Sequence, residues 1–287
     1  MPENGIRSTY SQAPFMISMH DNGGQISTGT AFHYMFGGKR FIVTNWHNVS
    51  GLDFFSRRNL NTNARRPLWI EVHTALWQRA ENLPSNGFSI FQRRVEIYAE
   101  PDAMLDPLWS EHPTLGSHGC DLVVIPDAKP ALEPEFMHNS VNMISNMRVP
   151  VLPGEIAFVI GFPQGLTTGF GLPIWKSTFI ASEPYYDVTV SGRHLPAFFL
   201  DGYTRPGMSG SPVFARFKGS WDMSAPYKPL DETEPGFWDR PDVALFGSEG
   251  TEFIGIYSGR IPEKEGEAAL GLCWRRDAIE MTCGAAL

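Results

Sequence analysis

The sequence predicts an all-β fold made of antiparallel strands. Its apolar segments are short, rich in β-branched and aromatic residues, and bounded by Gly, Pro, Asn and Asp, which is typical of strands. Long stretches of helical apolar periodicity are missing before residue 275. Strands that follow one another without intervening helices favour an antiparallel sandwich or barrel over a parallel sheet.

Eight segments carry the strand pattern, four in each half of the chain. They are residues 41–44, 69–72, 94–98 and 121–125, followed by residues 155–160, 176–180, 187–190 and 253–257. The pattern changes at residues 275–281, whose sequence RRDAIEM predicts a short C-terminal helix.

Two irregular segments organise the chain. Residues 128–153 contain several prolines and little strand pattern, so we predict two β-rich halves, residues 1–135 and residues 136–287, that form one domain together. Residues 218–249 are rich in Pro, Asp and Glu and are predicted to be an irregular insertion in the second half. Loops of that length are uncommon inside compact domains and are often functional.

The composition is that of a globular protein with a sizeable core. The chain has 287 residues, of which 42% are hydrophobic and 13% aromatic, and this length suits one large domain or two fused halves. The net charge of -8 argues against nucleic acid as the main partner, because such a partner needs clustered Lys and Arg. The basic pairs at residues 57–58, 65–66 and 93–94 are isolated, and we expect them to be solvated surface.

Targeting and metal-binding patterns are also missing from the sequence. The N-terminal residues lack a signal-peptide pattern, and no run approaches the ~18 apolar residues needed to cross a bilayer. The three cysteines, Cys120, Cys273 and Cys283, are odd in number and unpaired in spacing. His112, His118 and Cys120 match no compact zinc pattern. We therefore expect a cytoplasmic protein with no membrane partner, no metal and no cofactor.

A histidine and an aspartate stand at the ends of two predicted strands. His47 follows the apolar run 41–44 and is interpreted either as a structural histidine or as a general base on a rigid support. Asp121 opens an apolar strand, so its carboxylate is expected to be partly buried and to need a hydrogen-bonding partner. It is either a turn residue or the group that orients a catalytic histidine.

A glycine-rich turn at residues 201–214, DGYTRPGMSGSPVF, is the third motif. Gly, Pro and Ser dominate ordinary turns, so the turn alone favours no function. Its functional interpretation is that Ser209 is a nucleophile, which needs a base to accept its proton. The backbone N–H groups of Gly207 and Ser209 would then donate to the developing oxyanion.

The three motifs occur in the order histidine, aspartate, serine, and this order is more informative than any one motif. With TNWH around His47, CDLVVI around Asp121 and PGMSGSPVF around Ser209, the chain resembles trypsin-like (chymotrypsin-fold) serine proteases. VIGFP at residues 159–163 and EFIGIYSG at residues 252–259 extend the resemblance over roughly residues 29–279. The chain is most similar in style to the cysteine-poor bacterial-type branch.

This resemblance implies two antiparallel six-stranded β-barrels with a short C-terminal helix, and a serine endopeptidase acting on protein or peptide substrates. Ser209 would attack the scissile carbonyl, His47 would carry its proton, and Asp121 would hold His47. The N–H groups of Gly207 and Ser209 would form the oxyanion hole. The Ser258 hydroxyl would support Asp121, and residues 258–260 would pair with the substrate as an added strand.

Substrate preference is predicted from the residues around the serine and the strand after it. Tyr203 stands where relatives that cut after Lys or Arg have an acidic residue, so a basic preference in the primary pocket is not expected. Thr204, Gly259 and Arg260 would line this pocket, and Arg260 favours acidic or small substrate side chains. Met208 replaces the aspartate that pairs with a new N-terminus in activated digestive relatives, so that zymogen switch is not implied.

Two alternatives are compatible with parts of the pattern. An α/β-hydrolase would carry its serine first in a G-x-S-x-G elbow and its histidine last, which is the reverse of the order here. A catalytically silent, trypsin-like binding or scaffold module would normally have lost a member of the triad, and none is replaced in this sequence.

Overall fold

The computed structural model describes residues 8–78, 87–127, 140–144, 147–169, 171–202, 205–222, 230–231, 233–239, 249–261 and 270–287. Its strands form two main units, an N-terminal seven-stranded sheet and a C-terminal closed barrel. Within these ranges, none of the helices combines the length and the apolar character that crossing a membrane requires.

The N-terminal unit is an antiparallel sheet with the strand order β5-β4-β1-β2-β3-β9-β8. Its strands are β1 (Pro14–Asp21), β2 (Gly24–Phe36), β3 (Lys39–Thr44), β4 (Trp69–Gln78), β5 (Gly87–Glu96), β8 (Ser110–Glu111) and β9 (Val123–Pro126). A separate two-stranded sheet is formed by β6 (Tyr98–Glu100) and β7 (Leu105–Pro107).

The predicted closure of this first half into a six-stranded barrel is not observed. Within the described residues, the edge strands β5 and β8 do not pair with each other. The segment between them forms the β6–β7 ladder instead, and β8 is only two residues long. One hydrogen bond of 3.0 Å, from Leu108 N–H to the carbonyl oxygen of Ile97, bridges the gap. The backbone groups that would close a barrel are therefore used locally.

The C-terminal unit is a closed antiparallel barrel with the strand order β10-β11-β14-β17-β16-β15, so the predicted six-stranded barrel is present in this half. Its strands are β10 (Ile156–Gly161), β11 (Ile174–Ile180), β14 (Ala197–Asp201), β15 (Pro212–Lys218), β16 (Glu249–Arg260) and β17 (Leu270–Arg275). A hairpin of β12 (Val188–Val190) and β13 (Arg193–Leu195) precedes β14. Each of the eight predicted segments overlaps a strand.

Helices are few and short. They are α1 (Trp46–Ser50), α2 (Gly116–Gly119), α3 (Val141–Ile144) and α4 (Arg276–Ala285), with 3-10 turns at Thr9–Gln12, Pro101–Ala103, Pro163–Gly165 and Phe237–Asp239. The predicted C-terminal helix is confirmed as α4, which starts one residue later than expected and runs to Ala285. It is fastened to β2 by the Tyr34 hydroxyl, which donates to Glu280 Oε1 at 2.6 Å.

One of the hydrophobic clusters contains side chains from both units. Phe32 of β2 packs edge-on against Phe253 of β16 with ring centres 5.4 Å apart, and Phe253 contacts Phe214 of β15 at 5.8 Å. All three side chains are fully buried. The core therefore holds the open sheet against the barrel, which is the arrangement that the chymotrypsin-like prediction needs.

The predicted divisions of the chain lie largely outside the described residues. The boundary between residues 135 and 136 lies outside the described residues. So does most of the predicted insertion, because only residues 218–222, 230–231, 233–239 and 249 are described from it. The ends of that segment belong to the barrel, since Lys218 closes β15 and Glu249 opens β16.

Candidate active site

His47 lies in the first turn of α1, directly after β3. The apolar strand ends at Thr44, and Asn45 connects it to the helix while donating a side-chain hydrogen bond of 2.7 Å to the carbonyl oxygen of Asp121. This bond joins the end of β3 to the start of β9, which are neighbouring strands. The histidine is thereby fixed beside the aspartate by the sheet itself.

Asp121 is fully buried and every contact of its carboxylate is directed at the site. Its Oδ1 accepts the His47 backbone N–H at 2.9 Å, and its Oδ2 lies 2.7 Å from His47 Nδ1. Oδ2 also accepts the Ser258 hydroxyl at 2.5 Å, which reaches across from β16 of the barrel. The three donors satisfy the buried carboxylate, and the two bonds to His47 hold the imidazole in one orientation.

The surroundings of His47 favour its protonated form. Burial by itself would lower the pKa of His47, but the negative charge of Asp121 and its hydrogen bond to Nδ1 outweigh that effect, with a smaller contribution from Asp53. The pKa of His47 is therefore raised above its usual value of 6.5. Since Nδ1 is occupied by Asp121, Nε2 is the ring nitrogen left to exchange a proton.

The turn that carries Ser209 depends on two glycines. Gly207 has a φ of +92°, and a Cβ there would lie 2.4 Å from the carbonyl oxygen of Phe162. Gly210 has a φ of +89°, and a Cβ there would lie 1.9 Å from the carbonyl oxygen of Thr30. Only glycine combines these torsions with such close backbone approaches, so the turn packs directly against the backbone of Phe162 and Thr30.

The N–H groups of Gly207 and Ser209 both point away from hydrogen-bonded carbonyl oxygens of the turn. The carbonyl oxygen of Pro206 accepts the Gln164 N–H at 2.6 Å, and in a trans peptide the following Gly207 N–H points the opposite way. The carbonyl oxygen of Met208 accepts the Ser211 N–H, which turns the Ser209 N–H outward in the same manner. Neither N–H donates to another described residue.

The Ser209 hydroxyl is directed at the barrel. It donates to the carbonyl oxygen of Ser258 at 2.8 Å, and no hydrogen bond within the described part of the chain joins it to His47. A rotation about the Cα–Cβ bond of Ser209 is therefore required before its hydroxyl can donate to Nε2 of His47.

Two residues absent from the sequence prediction hold the serine turn against the N-terminal sheet. Thr30 of β2 donates its backbone N–H to the Ser209 carbonyl at 2.9 Å and its hydroxyl to the Gly207 carbonyl at 2.8 Å. Asn48 Nδ2 donates to the same Ser209 carbonyl at 3.3 Å. The position of Asn48 directly after His47 is the only sequence signal that pointed to this role.

A cleft of about 710 Å³ runs between the two units and contains the site. Among the predicted site residues, the cleft is lined by His47, Asp121, Gly207, Ser209, Ser258, Gly259 and Arg260. Tyr203 and Thr204, the other predicted pocket residues, lie outside the described residues. The N-terminal unit adds Asp53 and the apolar side chains of Met19, Phe54 and Leu60, which sequence reasoning did not assign to the site.

The remaining sequence candidates lie away from this chemistry. Met208 is fully buried in the barrel core, where an aspartate would be unfavourable. His112 Nδ1 accepts the Leu115 N–H at 3.3 Å, and Cys120 is fully buried, which raises the pKa of its thiol. No group of three or more His, Cys, Asp or Glu side chains that could hold a metal ion occurs in the described ranges.

Comparison with known proteins gives structural neighbours without a family match. No protein-family model and no curated protein matches the chain. The serine endoprotease of Yersinia pestis is similar with a TM-score of 0.44 and 13% identity, over 96% of this chain and 62% of that one. The MamO protease domain of Magnetospirillum magneticum has a TM-score of 0.47 and 13% identity, over 98% and 99%. A protease of M. tuberculosis in its active form has a TM-score of 0.45 and 13% identity, over 96% and 81%.

Proposed function

We propose that this chain is a serine endopeptidase that hydrolyses peptide bonds of proteins or peptides through an acyl-enzyme. The observation that carries the proposal is the 2.7 Å contact between His47 Nδ1 and Asp121 Oδ2, in the same cleft as Ser209. An imidazole that is oriented through Nδ1 and shares a cleft with a serine on a glycine-rich turn is the arrangement that nucleophilic serine catalysis needs.

The first half of the reaction forms the acyl-enzyme. Ser209 Oγ bonds to the scissile carbonyl carbon while its proton passes to His47 Nε2, and the carbonyl electron pair moves onto oxygen. The N–H groups of Gly207 and Ser209 donate to this oxyanion, and Asp121 stabilises the imidazolium. When the oxyanion collapses, the C–N bond breaks and His47 returns its proton to the leaving amine.

The second half uses water in the place of serine. His47 Nε2 accepts a proton from a water molecule whose oxygen bonds to the acyl carbon. The same two N–H groups stabilise the second oxyanion. Collapse then breaks the bond to Ser209 Oγ, which recovers its proton from His47, and the carboxylic acid product leaves.

A catalytically silent binding or scaffold module is the competing function. The observation that favours it is the hydrogen bond from the Ser209 hydroxyl to the Ser258 carbonyl, because it directs the hydroxyl away from the base. Under the peptidase proposal this is a resting rotamer. A serine hydroxyl crosses between rotamers quickly compared with catalytic turnover, so the resting geometry does not prevent reaction.

A fluorophosphonate probe, which modifies activated serines, separates the two functions. We expect wild-type protein to be labelled and Ser209→Ala protein to remain unlabelled. Ser211→Ala is the matched control, since Ser211 is buried two positions away and its hydroxyl has no hydrogen-bond partner among the described residues. Absence of labelling in folded wild-type protein would support the silent module instead. Cleavage of an unfolded fluorescent protein substrate then tests endopeptidase activity.

A further inference from the structure

Asp53 adds a second carboxylate to the cleft on the side of His47. It lies in the loop after α1 and lines the cleft with Phe54, Phe55 and Leu60. Its negative charge contributes to the raised pKa of His47. The carboxylate therefore lines the same cleft as the proposed catalytic base, although nothing in the proposed mechanism uses it.

The loop holds this carboxylate in a fixed orientation. Asp53 Oδ1 accepts two hydrogen bonds from Ser56, one from its backbone N–H at 2.7 Å and one from its hydroxyl at 2.6 Å. The Asp53 backbone N–H donates to the backbone carbonyl oxygen of Arg58 at 2.8 Å, and the Asp53 carbonyl oxygen accepts the backbone N–H of Arg57 at 2.9 Å. Both side-chain hydrogen bonds end on Oδ1. Oδ2 makes no hydrogen bond or ion pair with any described residue.

The side chain of neighbouring Arg57 contacts groups other than the Asp53 carboxylate. The Arg57 guanidinium donates to the carbonyl oxygen of Ser117 and lies 4.5 Å from the ring centre of Trp46 and 5.3 Å from that of Phe54. Stacking on two aromatic rings keeps it in place. The Asp53 charge acts on Arg57 and His47 at a distance, but the guanidinium does not hydrogen-bond to Oδ2, which can therefore accept a donor that enters the cleft.

We propose that Asp53 is a specificity-determining residue that binds a basic substrate side chain close to the scissile bond. A carboxylate partly shielded from water gains most from a cationic hydrogen-bond donor. The methylene stem of a lysine or arginine would lie along the apolar surface of Leu60 and Phe55, with its charge at Oδ2. The inference rests on the proposed peptidase function and names part of its substrate class.

The two walls of the cleft carry opposite charges, which separates this site from the primary pocket. The N-terminal unit contributes Asp53, whereas the barrel contributes Arg205 and Arg260. A basic substrate residue is therefore bound on the histidine side, at a different substrate position from the side chain that meets Arg260. A substrate with mixed charge around the cut fits both walls.

The test uses fluorogenic peptides in which lysine is scanned through the positions flanking the cut, each paired with its Nε-acetyl-lysine counterpart. Wild-type protein is expected to cleave the lysine peptide about five- to tenfold faster in kcat/KM at one position. Asp53→Asn should bring that ratio to about one, and Asp53→Lys should favour glutamate there. Asp106→Asn makes the same change in charge at an exposed residue outside the cleft, so it should keep the wild-type ratio.

A lysine to acetyl-lysine ratio that is unchanged by Asp53→Asn would overturn the proposal. Fluorophosphonate labelling distinguishes the possible failures, because labelled protein without charge preference contradicts only the role of Asp53, whereas unlabelled protein contradicts the peptidase function. Fluorescence-polarisation titration of the same peptides with Ser209→Ala protein measures the preference without turnover. A lysine preference in binding that Asp53→Asn abolishes supports the proposal, and equal binding of both peptides refutes it.

Discussion

The Thr30 hydroxyl donates a 2.8 Å hydrogen bond to the carbonyl oxygen of Gly207, so β2 of the N-terminal sheet holds the serine turn of the barrel directly. The same hydroxyl accepts the Phe162 N–H at 3.2 Å, and Thr44 donates to the Thr30 carbonyl at 2.9 Å. Since His47 comes from the sheet and Ser209 from the barrel, this threonine sets their relative position.

Thr30→Val should loosen the serine turn while leaving its volume filled. The substitution removes the donor to Gly207 and the acceptor for Phe162, and a buried polar group left unsatisfied costs about 1–3 kcal/mol. We expect a loss of about 2 kcal/mol in the free energy of unfolding, measured by urea denaturation, and slower fluorophosphonate labelling. The same change at exposed Thr62 is the control and should alter neither quantity. Equal effects at both positions would contradict the role given to Thr30.

Gly210→Ala should be among the most damaging single methyl additions in the chain. Its Cβ would lie 1.9 Å from the Thr30 carbonyl oxygen, in a backbone region that side chains disfavour. We expect a loss of about 3 kcal/mol or more, or failure to fold. Gly24→Ala isolates the backbone contribution, because Gly24 has a φ of +103° with open space around its Cβ position. It should cost only about 1 kcal/mol by thermal unfolding.

The pH dependence of hydrolysis should follow the protonation of His47. The reaction needs neutral Nε2, and the pKa of His47 is raised, so kcat/KM should rise with pH through a midpoint above 6.5. Asp121→Asn removes the main stabilising charge, so the midpoint should fall and the rate should drop by about 10³-fold or more. A pH–rate profile of both proteins checks this, and an unchanged midpoint would exclude His47 as the base.

The same group links stability to pH with a defined sign. Because the pKa of His47 in the folded protein lies above its ordinary value of 6.5, protonated His47 stabilises the fold fully below that value. The contribution disappears as the pH rises through the raised pKa. The difference in unfolding free energy between wild-type and His47→Ala protein should shrink over that interval.

Ser258→Ala should weaken the site without abolishing it. The variant removes one of three donors to the buried Asp121 carboxylate and leaves both bonds from His47. We expect a loss of about 1–3 kcal/mol in stability and a measurable fall in kcat with KM nearly unchanged. Steady-state kinetics of wild-type and Ser258→Ala protein measures kcat and KM separately. A change confined to KM would indicate that Ser258 acts only in substrate binding.

Three of the six barrel strands, β10, β11 and β16, and the three motifs could be predicted because their signals are local. Runs such as residues 155–160 carry their strand propensity within a few residues, and the histidine, aspartate and serine motifs are each contiguous in the sequence. By contrast, β1 and β2 were not predicted, because polar residues such as Ser18 and His20 interrupt their apolar pattern. Pairing of both strands in the middle of the sheet compensates for that weak pattern.

Other features depend on contacts between distant parts of the chain. The N-terminal sheet stays open because residues 98–107 pair with one another as β6 and β7. No local sequence pattern predicts this pairing. The role of Thr30 depends on a partner 177 positions away. Asp53 becomes relevant to the site only because the loop after α1 folds back over the cleft. Residue type alone distinguishes none of these positions.

Among the described residues, the strands of the sheet pair only with one another, and so do the strands of the barrel. Under the proposed function, the reacting groups are divided between these two units, and a displacement of about 1 Å between reacting groups can lower a rate about a hundredfold. The value of kcat would then depend strongly on the relative position of the two units. Under the same proposal, a change at the contact between the two units would alter the rate without any substitution of His47, Asp121 or Ser209.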